Sequence, residues 1–184
     1  MSEIKKETQS IKAGKRSVVQ VMVIMAMLIA MEVVLSRFLS YAAWNMKIGF
    51  AFLPVAIAAI MLGPVKAAIV GGVADFVGAI LFPIGAYFPG FTLTAVLMGL
   101  VYGLFLYKKQ SLPRVLGAVA INQLILSLLL NSLWISVLYG SPYMPLLIAR
   151  LAQCTIMIPV QVLLIGLITK TLGNFMHKKA LQWA

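Results

Sequence analysis

Three ionisable side chains stand inside long apolar runs of this sequence: Glu32, Asp75 and Arg150, with Arg37 closing the first run. A charge in hydrocarbon is costly, so such groups are rare in membrane spans and tend to serve function. Their spacings along the chain let none pair with another on one helix, except Glu32 with Arg37. Polar side chains add two patterns. Gln123, Ser127, Asn131 and Trp134 are four, four and three residues apart and fall on one helical face. Arg150, Gln153, Met157 and Gln161 form a second such face. Two polar faces in hydrocarbon should turn inward, towards each other or towards a cavity. For the amides, interhelical hydrogen bonding and ligand binding both stay open. For Arg150 a binding site is favoured, because a buried cation needs an anion and only Asp75 and Glu32 could supply one from within the spans.

Aromatic residues give a second kind of site. "FPGFT" at 88–92 is uncharged and follows Tyr87, and "YGSPY" at 139–143 begins and ends in tyrosine. Both are expected as loops. An interfacial aromatic belt accounts for such rings, and so does a binding mouth for a flat ligand, in which Pro and Gly fix the turn and the rings stack. Catalytic patterns are absent. There is no P-loop and no H-E-x-x-H, and the one histidine, His177, lies in the basic tail, which excludes a Ser–His protease. Cys154 is the single cysteine and reads as a buried small apolar side chain, so neither disulfides nor a zinc cluster are expected. No cofactor and no metal are expected. The residues describe a chain that binds a molecule from outside and has no engine to move it.

The elements that must hold these residues are helices in a bilayer. Of 184 residues, 62% are hydrophobic and 10% charged, and the mean hydropathy is +1.04. Soluble domains are nearer half apolar and a quarter charged. Hydrocarbon offers no partner to a bare backbone, so helices are the default spanning form. Six spans are expected, at Ser17–Leu35, Ile48–Leu62, Val65–Phe82, Phe91–Tyr107, Val115–Leu138 and Leu146–Leu172, with Gly63 and Pro64 breaking the chain between the second and third. Residues 1–16 are expected as a basic cytoplasmic segment, 17–175 as the six-helix membrane domain and 176–184 as a cytoplasmic tail. The first run lacks a small-residue cleavage site and reads as a retained helix rather than a signal peptide. With six spans, 12 of the 15 Lys and Arg fall on the side of both termini, which makes that side cytoplasmic. The net charge of +11 is therefore a topology signal with lipid-headgroup contact, not a nucleic-acid surface. The fold class is an all-α, multi-pass integral membrane protein of the cell membrane with both termini inside.

Small residues mark close helix approach: Ala67, Gly71, Ala74 and Gly78 on the third span, Gly99 and Gly103 on the fourth, Ala26 and Ala30 on the first. Whether each stripe meets another helix of this chain or another protein is left open by the sequence.

A resemblance adds the missing engine. "LSRF" at 35–38, "IGFAFLPVAIAAIMLGPVKAAIVGGVADFVGAILFP" at 48–83, "GAYFPGFTLTAVLMGLVYGLFLY" at 85–107 and "LLNSLWISVLYGSPY" at 129–143 resemble the S components of energy-coupling factor (ECF) vitamin transporters, most closely the folate-specific type. The resemblance implies six helices that bind a vitamin at the outer face and dock on a transmembrane T subunit carrying two ATPase subunits. Toppling of the S component then delivers the substrate. It also implies that Ala26 and Ala30 match the family's docking A-x-x-x-A. The implied partners are a folate-type vitamin, the T subunit, the two ATPases and the bilayer, with no nucleic acid.

A folate has a flat hydrogen-bonding pterin, an aromatic middle and an anionic glutamate. From that chemistry the expected binding residues are Arg37, Asp75, Tyr87, Phe88, Pro89, Gly90, Phe91, Asn131, Trp134, Tyr139, Arg150 and Gln153. The two aromatic segments would form a lid and a stacking wall. Asp75, or Asn131 with Gln153, would take the pterin's N–H groups, and Arg150, Arg37 or Lys47 would meet the carboxylates. Arg37 lies seven residues past Ala30, nearly on the same helical face, so its place in a pocket is expected to require the helix to unwind after Ser36. Two alternatives remain: an S component for another vitamin, such as a pyrimidine precursor or pantothenate, and an intramembrane lipid- or quinone-modifying enzyme using Asp75 and Glu32 as acid and base.

Overall fold

The computed structural model describes the backbone at 2–42, 47–107 and 110–182, and side chains at 18–40, 49–107 and 110–171. Expectations attached to the tail lysines, His177, Lys108, Lys109, Trp44 and the side chains of Tyr41 and Lys47 lie outside the described residues. Helix α1 spans Ser2–Arg37, α2 Phe52–Leu62, α3 Pro64–Leu81 and α4 Pro89–Leu106. A long helical segment follows as α5 at Leu112–Ala120, a π-helical stretch at Ile121–Leu130 and α6 at Asn131–Tyr139, and α7 spans Tyr143–Gln182. A two-residue antiparallel ribbon, β1 at Tyr41–Ala42 and β2 at Lys47–Ile48, joins α1 to α2, with Tyr41 opposite Ile48.

Among the described residues five segments are long and apolar enough to cross a membrane: Val18–Arg37, Pro64–Leu81, Pro89–Leu106, Leu112–Tyr139 and Tyr143–Thr171. The second expected span is the exception. Helix α2 has 11 residues, about 16 Å at 1.5 Å per residue, roughly half of a ~30 Å hydrocarbon core. It is enclosed instead: Pro54, Val55, Ala56, Ala58, Ala59 and Ile60 are buried. Both terminal helices run without a break through the boundaries expected at 16/17 and 175/176.

The Gly63–Pro64 break falls as read. Gly63 has φ +90°, a conformation that favours glycine, and Pro64 opens α3 at a position where its missing N–H costs nothing. The small-residue stripes on α3 and α4 meet each other. A Cβ on Gly71 would lie 2.7 Å from the Ala95 carbonyl oxygen, one on Gly99 would strike the Ala67 carbonyl, and one on Gly103 would strike Pro64. Contacts that climb α3 as they descend α4 make the pair antiparallel. Gly78 breaks this pattern: its bare face is covered by the Arg37 guanidinium, not by a helix.

Apolar side chains point both ways. Met22, Met27, Leu104, Ile148 and Leu163 are more than half exposed, as suits a surface bathed in lipid. Leu106, Val115, Ala118, Val119 and Ile165 form a core where α4 ends and α5 begins. At the other end of the bundle the interior is polar, with Glu32, Gln123, Ser127, Arg150 and Gln153 all buried.

Candidate functional site

A cavity of about 550 Å³ opens at that polar end, within the ~300–1,000 Å³ range of small-molecule sites. Every long segment contributes to it. Helix α7 supplies Arg150, Gln153, Met157 and Gln161, one residue per turn at spacings of three, four and four. Facing them are Asn122, Gln123, Ser127, Asn131, Ile135 and Tyr139 from the π stretch and α6. Helix α3 adds Gly71 and Asp75, α4 adds Phe91, Thr94 and Tyr102, and α1 adds Glu32 and Arg37. The connection from Pro83 to Phe88 forms the rim. Deep in the bundle the Tyr102 hydroxyl donates to Gln161 Oε1 at 2.9 Å.

The π winding decides which face of the fifth span looks inward. Its i→i+5 bonds make each turn wider than the α-helix, so steps of four residues stay in phase. Gln123, Ser127, Asn131 and Ile135 therefore line the cavity, and Asn122 joins them. Trp134, expected on this face from α-helical spacing, is turned away. Its indole N–H donates to Thr94 Oγ1 at 3.0 Å, and its ring packs on Phe88 with centroids 5.5 Å apart. The same indole covers Gly90, where a Cβ would lie 2.5 Å from its ring.

"FPGFT" is not a loop. Pro89, Gly90 and Phe91 form the first turn of α4, and Phe88 stands at its N-cap. Pro-Gly reads as a turn, but proline also suits the first position of a helix, and here the second reading wins. Pro89, Gly90 and Trp134 are outside the cavity lining; Arg37, Asp75, Tyr87, Phe88, Phe91, Asn131, Tyr139, Arg150 and Gln153 are in it. The rim rings are braced edge to face, Phe88 on Phe91 and Tyr87 on Phe76.

The charges are arranged differently from the sequence expectation. Asp75 does not serve Arg150. Its Oδ1 lies 3.9 Å from Arg37 Nη2, which also donates to the Asp75 carbonyl oxygen at 3.4 Å, and its Oδ2 accepts from the Thr92 hydroxyl at 2.9 Å. The Tyr87 hydroxyl stands 3.3 Å from the same Thr92 oxygen. Arg37 reaches this position without the expected unwinding. Helix α1 continues to Arg37, and the Phe38 N–H still bonds to Val34 O at 2.9 Å. The long side chain sweeps across to α3, while Ala26 and Ala30 stay exposed beside Met22, Met27 and Val34.

Arg150 is 4% exposed; its Nη1 lies 3.5 Å from Ser132 Oγ, and its Nε is buried with no partner among the described residues. Asn122 Oδ1, Gln123 Oε1 and Asn131 Oδ1 are likewise buried without a partner among the described residues. Interiors seldom leave polar atoms unpaired, because each costs about 1–3 kcal/mol. Four such atoms around one cavity are the signature of a site built for a polar guest. Asn122 and Tyr102 lacked any signal in the sequence: α-helical spacing puts Asn122 off the polar face, and Tyr102 lies in an apolar run. Asp75, which an intramembrane enzyme would need as acid or base, is instead held by Arg37 and Thr92.

Comparison with known proteins matches residues 20–169 to the family of ECF transporter, substrate-specific components. The chain belongs to that family. This S component is therefore a multi-pass membrane protein that binds a substrate, not an enzyme. It is 44% identical over 148 residues to the folate transporter FolT of Clostridium novyi, covering 80% of this chain and 86% of the relative. A folate transporter FolT of Leuconostoc mesenteroides is 34% identical over 147 residues, covering 76% and 79%. A crystal structure of FolT bound with folic acid superposes with a TM-score of 0.78 at 38% identity, covering 82% of this chain and 92% of that one.

Proposed function

We propose that this S component captures folate at the outer face of the cell membrane. It then delivers the vitamin together with a T subunit and two ATPases, with both of its own termini on the cytoplasmic side. The observation that carries the reading is the cavity. It holds buried polar side chains in a bundle interior that is otherwise apolar, and among the described residues it offers amide oxygens of Asn122, Gln123 and Asn131 without a partner, beside a buried guanidinium. The FolT relatives and the folate-bound neighbour supply the ligand's identity. A pterin carries N–H donors on a flat ring, which amide oxygens at Asn131 and Gln153 would receive while the rings of Tyr87, Phe88, Phe91 and Tyr139 enclose it. Arg150 and Arg37 would meet the carboxylates. The exposed Ala26 and Ala30 would admit a helix of the T subunit, since a methyl side chain lets backbones approach.

Titration calorimetry of the purified protein with folic acid, a pyrimidine precursor and pantothenate tests this reading. Saturable binding of folic acid alone is expected. Preference for either of the smaller vitamins overturns it.

A further inference from the structure

We infer that Asp75 is a positioning residue that holds Arg37 in the cavity wall, and that Arg37, not Asp75, meets the ligand. The inference rests on the folate reading for the ligand and on the geometry for the tether. Both carboxylate oxygens of Asp75 face protein partners, one in a hydrogen bond and one in a looser charge contact. Oδ2 takes the Thr92 hydroxyl at 2.9 Å and Oδ1 faces Arg37 Nη2 at 3.9 Å. The Asp75 carbonyl oxygen accepts from the same nitrogen, so Arg37 is gripped by side chain and backbone of one residue. Gly78, one turn further along α3, gives the guanidinium its bed: a Cβ there would lie 2.8 Å from Arg37 Nε and 3.2 Å from Nη2. Three features of α3 and α4 thus converge on one side chain from α1. Among the described residues Arg37 Nε is buried without a partner, so the gripped guanidinium still has a donor to offer in a cavity that Arg37 lines.

The arrangement has a physical reason. A long arginine side chain loses rotamer freedom when a ligand fixes it, and a tether made before binding removes that cost. An aspartate contacting the ligand's carboxylate end would repel it. An aspartate behind the arginine holds the cation without meeting the anion.

A double-mutant cycle on the full chain, read by folic acid titration, separates the two roles. D75N should weaken folic acid about tenfold, as expected when one charge-assisted contact is misplaced. R37A should lose at least as much, and R37A/D75N should bind no more weakly than R37A alone. G78A, which leaves both charged residues in place and pushes the guanidinium off α3, should reproduce the D75N loss. The thermal midpoint of the ligand-free protein supplies an arm independent of any ligand: the effects of R37A and D75N should be non-additive there too. If D75N costs a further tenfold in the R37A background, Asp75 touches the ligand and the inference is wrong. If G78A binds folic acid like the wild type, or the ligand-free cycle is additive, the tether is wrong. If wild type binds no folic acid while the ligand-free cycle is coupled, the tether stands and the folate reading falls.

Discussion

Arg150 is the residue on which the binding proposal bears most directly. A guanidinium two turns into α7 costs about 2.5–3.5 kcal/mol on insertion scales, and its Nη1 reaches the Ser132 hydroxyl only at 3.5 Å. A ligand carboxylate would complete it. Replacing Arg150 with alanine should weaken folate about ten- to hundredfold, since a charge-assisted bond contributes roughly 1.5–3 kcal/mol. Lysine keeps the charge but not the two-pronged geometry, and its affinity should fall between wild type and alanine. Calorimetry with a bare pterin is the control. Its affinity should hardly change if Arg150 meets the carboxylate, and equal losses for folate and pterin would mean that Arg150 supports the fold. The sequence marked this residue correctly as a buried charge, yet it offered Asp75 as partner. Only the Arg37 side chain, laid across Gly78 and against the carboxylate, shows that Asp75 is already engaged.

Two predictions belong to the helices. The α3–α4 pair has no room for side chains at Gly71 and Gly99. Gly99→Val should force the backbones apart and lower the thermal midpoint in detergent, by the 1–3 kcal/mol typical of overpacking or more. An unchanged midpoint would show that the close approach adds nothing to stability. Leucine at both Ala26 and Ala30 should do the opposite: these positions are exposed, so stability and folate binding should survive. Uptake by the assembled transporter should fail, because bulk there keeps a partner helix at a distance. Normal uptake would make this stripe an ordinary lipid-facing surface. The small-residue spacing in the sequence signalled all three stripes alike. It could not say which meets a neighbouring helix, which cradles an arginine and which stays open, because that depends on where the other elements lie.

At the scale of the whole molecule, the chain is a binding shell. Among the residues with described side chains the acidic ones are Glu32 and Asp75, and both line the cavity. That leaves no acidic chain through the bundle to relay protons. Vesicles containing this protein alone should therefore show no ATP-driven or proton-driven accumulation of folate. Addition of the T and ATPase subunits should establish it, and concentrative uptake by the solitary chain would overturn the division of labour.

What the sequence determined by itself was set by composition and by local periodicity. Apolar runs of membrane length, the Gly63–Pro64 break and the inward face of α7 all follow from residues close together in the chain, where helical geometry is fixed by hydrogen bonding alone. The family resemblance was legible for the same reason, in contiguous blocks. The tertiary structure decided the rest. It made "FPGFT" the first turn of α4, since proline and glycine fit either a loop or a helix start until Trp134 is packed on Gly90. It widened 121–130 into a π-helix, which moved Ile135 and Asn122 into the cavity and Trp134 out of it. And it gave Asp75 to Arg37, a pairing 38 residues apart that no helical spacing encodes, because it exists only where the end of α1 crosses α3.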